Sequence, residues 1–209
     1  MDTNITQKKK AKRGRPKCFD EQEALEKAML LFWANGYIAT SISDLTKALG
    51  ITAPSLYGCF GDKASLFNLC IDYYLTHEAC PVLSIMKQAK TAKVAVELLL
   101  YDAVKRFIQP DKPLGCMLVT STMGHSDQIQ HVQHKVLEKK SDYKVILMAR
   151  LRQGVSDGDL AAAAPIEAIS DFYITVINGL SIQACDGVGL EALNQVVFNA
   201  IKAWAIFDR

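Results

Sequence analysis

No run of about 20 uncharged apolar residues occurs in the 209-residue chain, so nothing in it reads as a membrane-spanning helix. The polar start, Met1-Asp2-Thr3-Asn4, lacks the apolar core of a signal peptide, and a cytoplasmic protein without a membrane partner is expected. CxxC pairs are missing as well. The six cysteines, at 18, 59, 70, 80, 116 and 185, are irregularly spaced, which implies reduced thiols rather than a disulfide framework. Enzyme signatures are equally scarce: there is neither a G-x-S-x-G elbow nor an H-E-x-x-H helix, and no carboxylate pair stands out. Gly187-Val188-Gly189-Leu190-Glu191-Ala192 has a G-x-G-x-x-A form but follows no strand, so it fails the context of the dinucleotide fingerprint. No convincing alternating strand appears either. An all-α protein with no catalytic site and no cofactor is expected.

Charge is sparse overall, with a net of +2, but it is unevenly placed. Residues 1–17 carry Lys8, Lys9, Lys10, Lys12, Arg13, Arg15 and Lys17 against Asp2, a net +6 that leaves −4 on residues 18–209. A basic arm of this kind suits phosphate neutralisation with release of counterions. Within it, Arg13-Gly14-Arg15-Pro16 is extended and thin enough to enter a narrow A·T-rich minor groove with both guanidiniums on its floor.

Immediately after the arm, Asp20 caps a stretch in which Ala24, Leu25, Ala28, Leu31 and Phe32 recur at helical spacing, and Gly36 stops it. Two short helices follow. Ser41 and Asp44 form a capping box, Ile42, Leu45 and Leu49 share a face, and Gly50 takes the left-handed end position with Ile51 packing back. Thr52 restarts the chain as an N-cap with Pro54 in the first turn, and Leu56 and Phe60 supply the core contacts. About three residues separate the pair, which is the helix-turn-helix connection.

The remainder reads as helices separated by turns. One begins at Asp62 and ends before Pro81, and another spans Val94 to Ile108. A short apolar piece near Cys116 to Met123 precedes a long helix capped by Ser126 or Asp127, running to about Arg152 and broken by Gly154 to Gly158. Pro165 opens the next helix, and Gly187 to Gly189 separates it from a last one through Trp204. The last two are apolar on more than one face, with Ile166, Ile169, Phe172, Tyr173, Val176, Ile177 and Leu180, then Leu193, Val196, Val197, Ala200 and Trp204. Either they are central to the body or they bury a second face against a partner.

Residues 15–67 resemble the N-terminal domain of a TetR/AcrR-family transcriptional regulator. The match runs through Arg15-Pro16, Phe19-Asp20, Ala24 to Phe32-Trp33, Gly36-Tyr37, Thr40-Ser41-Ile42, Asp44-Leu45, Gly50-Ile51, Pro54-Ser55-Leu56-Tyr57, Phe60, Gly61-Asp62-Lys63 and Leu66-Phe67. It covers roughly a quarter of the chain. The resemblance implies a three-helix helix-turn-helix head and a C-terminal helical bundle for ligand binding and dimerisation. Its divisions here are a flexible basic arm at 1–17, a DNA-binding domain at 18–64 and an effector-binding and dimerisation domain at 65–209. The function implied is a ligand-responsive repressor acting as a homodimer on a palindromic operator of double-stranded DNA.

Carried over residue by residue, the resemblance puts the hydroxyls of Thr40, Ser41 and Thr52 near phosphate, with Tyr57 donating to phosphate and Lys63 clamping the backbone. Ala53, Pro54 and Ser55 form the exposed turn that reads bases, and Arg13 and Arg15 extend it into the minor groove. Cys59 stands where the family usually has a histidine, and a partly buried thiol is expected there. For the dimer interface the family favours Ile169, Tyr173, Val176, Leu180, Leu193, Val197, Ala200 and Trp204. Gly115-Cys116-Met117-Leu118-Val119 is similar to a segment that family members place beside the pocket of an unknown small-molecule effector. Tyr101, Phe107, Cys116, Met117, Met123, Tyr143 and Phe172 suit an apolar cavity, and they equally suit an ordinary core. Three other readings stay open: a redox sensor using Cys116, a metal sensor using His125, His131 and His134, the latter two at i, i+3, with Cys116 as a fourth ligand, and an architectural DNA-binding protein that answers to no ligand.

Overall fold

The computed structural model describes residues 19–121 and 129–207. Arg13, Arg15, Met123, His125, Ser126, Asp127 and the side chain of His131 lie outside the described residues. Among those described there are eleven helices and no strand, and no helix is long and apolar enough to cross a membrane.

Local chemistry accounts for the first four helices. In α1 (Glu21–Ala39), the Asp20 carboxylate accepts from the Gln22 and Glu23 amides at 2.8 and 3.3 Å, pairing two donors that a helix start leaves free. Gly36, at φ +77°, interrupts α1 before its last turn. The Tyr37 N–H that this break turns outward donates to Ser121 O at 3.0 Å. α2 (Ile42–Leu49) has the capping box of Ser41 and Asp44 and ends on left-handed Gly50. α3 (Ala53–Phe60) starts at Thr52 with Pro54 in its first turn, and α4 (Lys63–His77) starts at Asp62, whose carboxylate accepts from Ser65 N at 2.7 Å.

Six further helices and a final turn complete the fold: α5 (Val82–Gln88), α6 (Ala92–Phe107), α7 (Met117–Thr120), α8 (Gln130–Asp157), α9 (Ile166–Cys185), α10 (Leu190–Lys202) and α11 (Trp204–Phe207). α5 is absent from the sequence reading because it has no side-chain cap; burial of Val82 and Met86, four residues apart, holds it instead. α8 is also longer than expected at its C-terminal end. Gly154 stays inside the helix, where a Cβ would come within 2.6 Å of Asp159 Oδ1 and 2.7 Å of Ala92 Cβ. The helix ends at left-handed Gly158.

Two apolar cores result. In the first, Phe67 of α4 stands edge-on to Phe32 and Tyr37, at ring-centroid distances of 5.2 and 5.1 Å. Met117, Leu118, Ile129, Val132 and Val136 complete this core from the C-terminal part of the chain. The second is built by α5, α6, α8, α9, α10 and Trp204. Cys116 and Tyr143 pack against both cores.

Candidate nucleic-acid interface and ligand cavity

Across the helix-turn-helix, the apolar positions face inward and the first turn of α3 faces out. Leu45, Leu49, Leu56 and Phe60 are buried, whereas Pro54 and Ser55 are exposed and Ala53 is partly so. Ser55 offers a hydroxyl 3.0 Å from that of Thr52, and no long polar side chain is present on this turn. Tyr57 is 49% exposed, which leaves it accessible on the same side as this turn. Lys63 is the first residue of α4, and its ammonium lies 4.3 Å from the centre of the Tyr37 ring. Burial lowers its pKa and the Asp44 carboxylate partly restores it. Cys59 is half-buried against the first core, the packing role expected of it.

One hydroxyl differs from expectation. Thr40 is 1% exposed, and its Oγ1 donates to Gly36 O at 2.8 Å, so it is spent on closing the kink in α1 rather than presented to phosphate. Ser41 is likewise engaged, since its Oγ donates to Asp44 Oδ2 at 2.6 Å and accepts from Asp44 N at 3.1 Å. That hydroxyl, with the Ser41 amide donating to Asp44 Oδ2 at 2.9 Å, holds the Asp44 carboxyl below its ordinary range.

Where α4, α5, α6, α8 and α9 meet, a cavity offers ≈ 80 Å³ to the centres of water molecules. A single water needs about 10–15 Å³ by that measure, so the space holds several. Phe107, Cys116 and Tyr143 line it, as the sequence suggests. Met117 instead points into the first core, while Tyr101 and Phe172 pack on the second, with Phe172 against Tyr173 and Phe207 at 5.0 and 5.6 Å. The sequence reading missed Tyr74, Cys80, Arg106, Lys140 and Asn178. Charged residues on helices look solvated in a sequence, and nothing local to Arg106 or Lys140 distinguishes them.

Burial pushes the Cys116 thiol up, against the opposing influence of the Tyr74 hydroxyl, which donates to Sγ at 3.5 Å, the amides of Leu118 and Val119, and Lys140. Burial also raises Cys80. His134 is exposed on α8, and Cys116 is half-buried. Among the described residues no three His, Cys, Asp or Glu side chains are grouped to hold a metal ion.

The two-sided helices resolve differently from the expected interface. Ile169, Tyr173, Leu180, Leu193, Val197, Ala200 and Trp204 are buried in the subunit's own core, and Val176 is half-buried. Tyr173 even donates its hydroxyl to Ala200 O at 3.2 Å. Exposed apolar side chains remain on α10 and α11: Leu190 and Phe198 lie on one flank of α10, Val196 on the other, and Ile206 on α11, while Gly179 on α9 is open.

Residues 24–70 match the family model described as bacterial regulatory proteins, tetR family. Along 98% of its length the chain is 32% identical to 98% of the HTH-type transcriptional repressor ComR of Escherichia coli (strain K12). It is 29% identical to the repressor BdcR of the same organism over 90% of this chain and 91% of that one. The fold also matches a cysteine mutant of the TetR family transcriptional regulator CifR complexed with 26-bp double-strand operator DNA. That match has a TM-score of 0.88 and 36% identity, over 91% of this chain and 100% of that chain. A capped helix-turn-helix followed by a helical body, matched along nearly its whole length by regulators of one kind, means that the chain belongs to the TetR family of transcriptional regulators.

Proposed function

We propose that this regulator is a ligand-responsive repressor that binds a palindromic operator as a homodimer and is released when an effector occupies the cavity beside Cys116. The observation that carries this reading is the span of α4, which begins at Lys63 beside the helix-turn-helix and lines the cavity with Tyr74. One rigid helix thus reaches from the effector site to the DNA-facing surface, and tilting it changes the spacing of two heads that must reach half-sites about 34–36 Å apart. DNA contact is assigned to Ala53, Pro54, Ser55, Thr52, Tyr57 and Lys63, with Arg13 and Arg15 in the minor groove. The divisions follow as an arm at 1–17, a DNA-binding part at 18–64 and an effector-binding and dimerisation part at 65–209. Regulation of transcription rather than catalysis is the role supported by the relatives, which are named as repressors.

Gel-shift titration against a duplex selected from a random pool tests the DNA face. Lys63→Ala is expected to weaken binding to selected and random duplexes alike and to reduce the salt slope by up to about one. Tyr57→Phe should weaken both without altering that slope, and removal of residues 1–17 should cost most on duplexes with A·T flanks. Wild-type binding by both point variants would dismiss the phosphate roles.

The flank of α10 that carries Leu190 and Phe198 is assigned to the partner subunit. Light scattering of the full chain at micromolar concentration should give twice the mass of one chain, and Phe198→Glu should shift it toward monomers by burying a charge in the contact. A monomeric wild type would rule the homodimer out.

A further inference from the structure

The cavity wall is apolar apart from a few groups, and their bonding is uneven. Arg106 is committed: its Nε donates to Asp102 Oδ2 at 2.7 Å and its Nη1 to Glu78 O at 3.1 Å. Burial works against its charge, and Asp102 more than compensates. Lys140 differs. It lines the same cavity from α8, and its ammonium makes no hydrogen bond or ion pair with any described residue. The Tyr143 hydroxyl and the Asn178 amide, also in the wall, are without hydrogen-bond partners among the described residues. Lining residues such as Val82, Leu99, Leu147, Ile174 and Ile177 supply hydrocarbon. Lys140 is half-buried, and an ammonium held against an apolar wall with no anion beside it is favoured further by a bound one.

Resting on the reading of this cavity as the effector site, we propose that the effector is a small carboxylate with an apolar body, its carboxylate paired with Lys140 and its hydrocarbon seated against α6 and α9. The charge count selects the class. One uncommitted cation matches one carboxylate, whereas a phosphate monoester brings up to about two negative charges and three acceptor oxygens. The cavity's volume sets the size at a short-chain or single-ring acid. Burial depresses the Lys140 pKa, with only the Cys116 thiol opposing it, as befits a cation whose counter-ion arrives with the ligand.

Isothermal titration of the full chain with benzoate, phenylacetate, hexanoate and octanoate, each paired with its amide, tests the class. At least one acid is expected to bind about tenfold or more tighter than its amide. Lys140→Met, which keeps the stem and removes the charge, should bring acid and amide to similar affinity, and Lys140→Arg should restore part of the preference. Amides binding as tightly as acids to the wild type, with operator release in the gel shift, would overturn the carboxylate class and leave the effector site standing. Acid preference unchanged in Lys140→Met overturns the role of Lys140. Failure of both series to bind would overturn the carboxylate class.

Discussion

Replacing Phe67 by alanine is expected to destabilise the folded chain by about 3–5 kcal/mol, the cost of emptying a fully buried aromatic site that cannot collapse. Phe67 is completely enclosed, and its ring meets Phe32 at 5.2 Å and Tyr37 at 5.1 Å, both edge-on. Those partners come from either side of the Gly36 kink, so the ring holds the two segments of α1 against α4. Denaturant titration at one fixed protein concentration measures the loss, since association shifts the midpoint as well. Leu69→Ala, on the same helix but 43% exposed, serves as the comparison and should stay within about 0.5 kcal/mol. Equal losses for the two variants would mean that the aromatic cluster carries no special share of stability. Operator affinity of the surviving folded fraction of Phe67→Ala should also fall, because Lys63 rests on the Tyr37 ring that Phe67 supports.

Gly115→Ala is the second large effect, at about 2–4 kcal/mol, from left-handed strain added to overpacking. Gly115 has φ +75°, and a Cβ there would lie 2.6 Å from Cys185 Sγ and 2.9 Å from the Ser181 carbonyl oxygen. A thiol at the chain's surface can swing aside, but the carbonyl belongs to the backbone of α9 and cannot. Cys185→Ala in the same chain should therefore recover only part of the loss, and full recovery would locate the clash in the side chain alone. The substitution also strikes the cavity. Cys116 N donates to Ser181 Oγ at 2.8 Å, so a displaced Gly115 drags the cavity wall with it. Thermal unfolding of the single and double variants, with ligand titration on those that fold, separates the two consequences.

Legibility in the sequence followed how local each signal is. Asp20, Ser41 with Asp44, Gly50, Thr52 with Pro54, and Asp62 each satisfy or terminate a helix within four residues of themselves, and every one stands where the pattern places it. Thr40 was opaque for the opposite reason: its burial depends on how α1 kinks and packs. Periodicity marks Ile169, Tyr173, Leu193 and Val197 as inward-facing, but cannot say whether inward means the chain's own core or a partner's, and here it is the chain's own. The cavity was half legible. Phe107, Cys116 and Tyr143 were found by chemistry that favours enclosure, while Lys140 and Arg106 carry charges that ordinarily mark a solvated face.

The bond from Tyr37 N to Ser121 O has a mechanical consequence. α7 starts at the cavity, with Cys116 at its cap, and ends at Ser121, a strut of only four helical residues between the cavity wall and the far end of α1. Together with α4 it makes a two-point mount for the DNA-facing helices. A rod held at one point swivels, whereas one held at two converts a small displacement at either mount into a defined rotation.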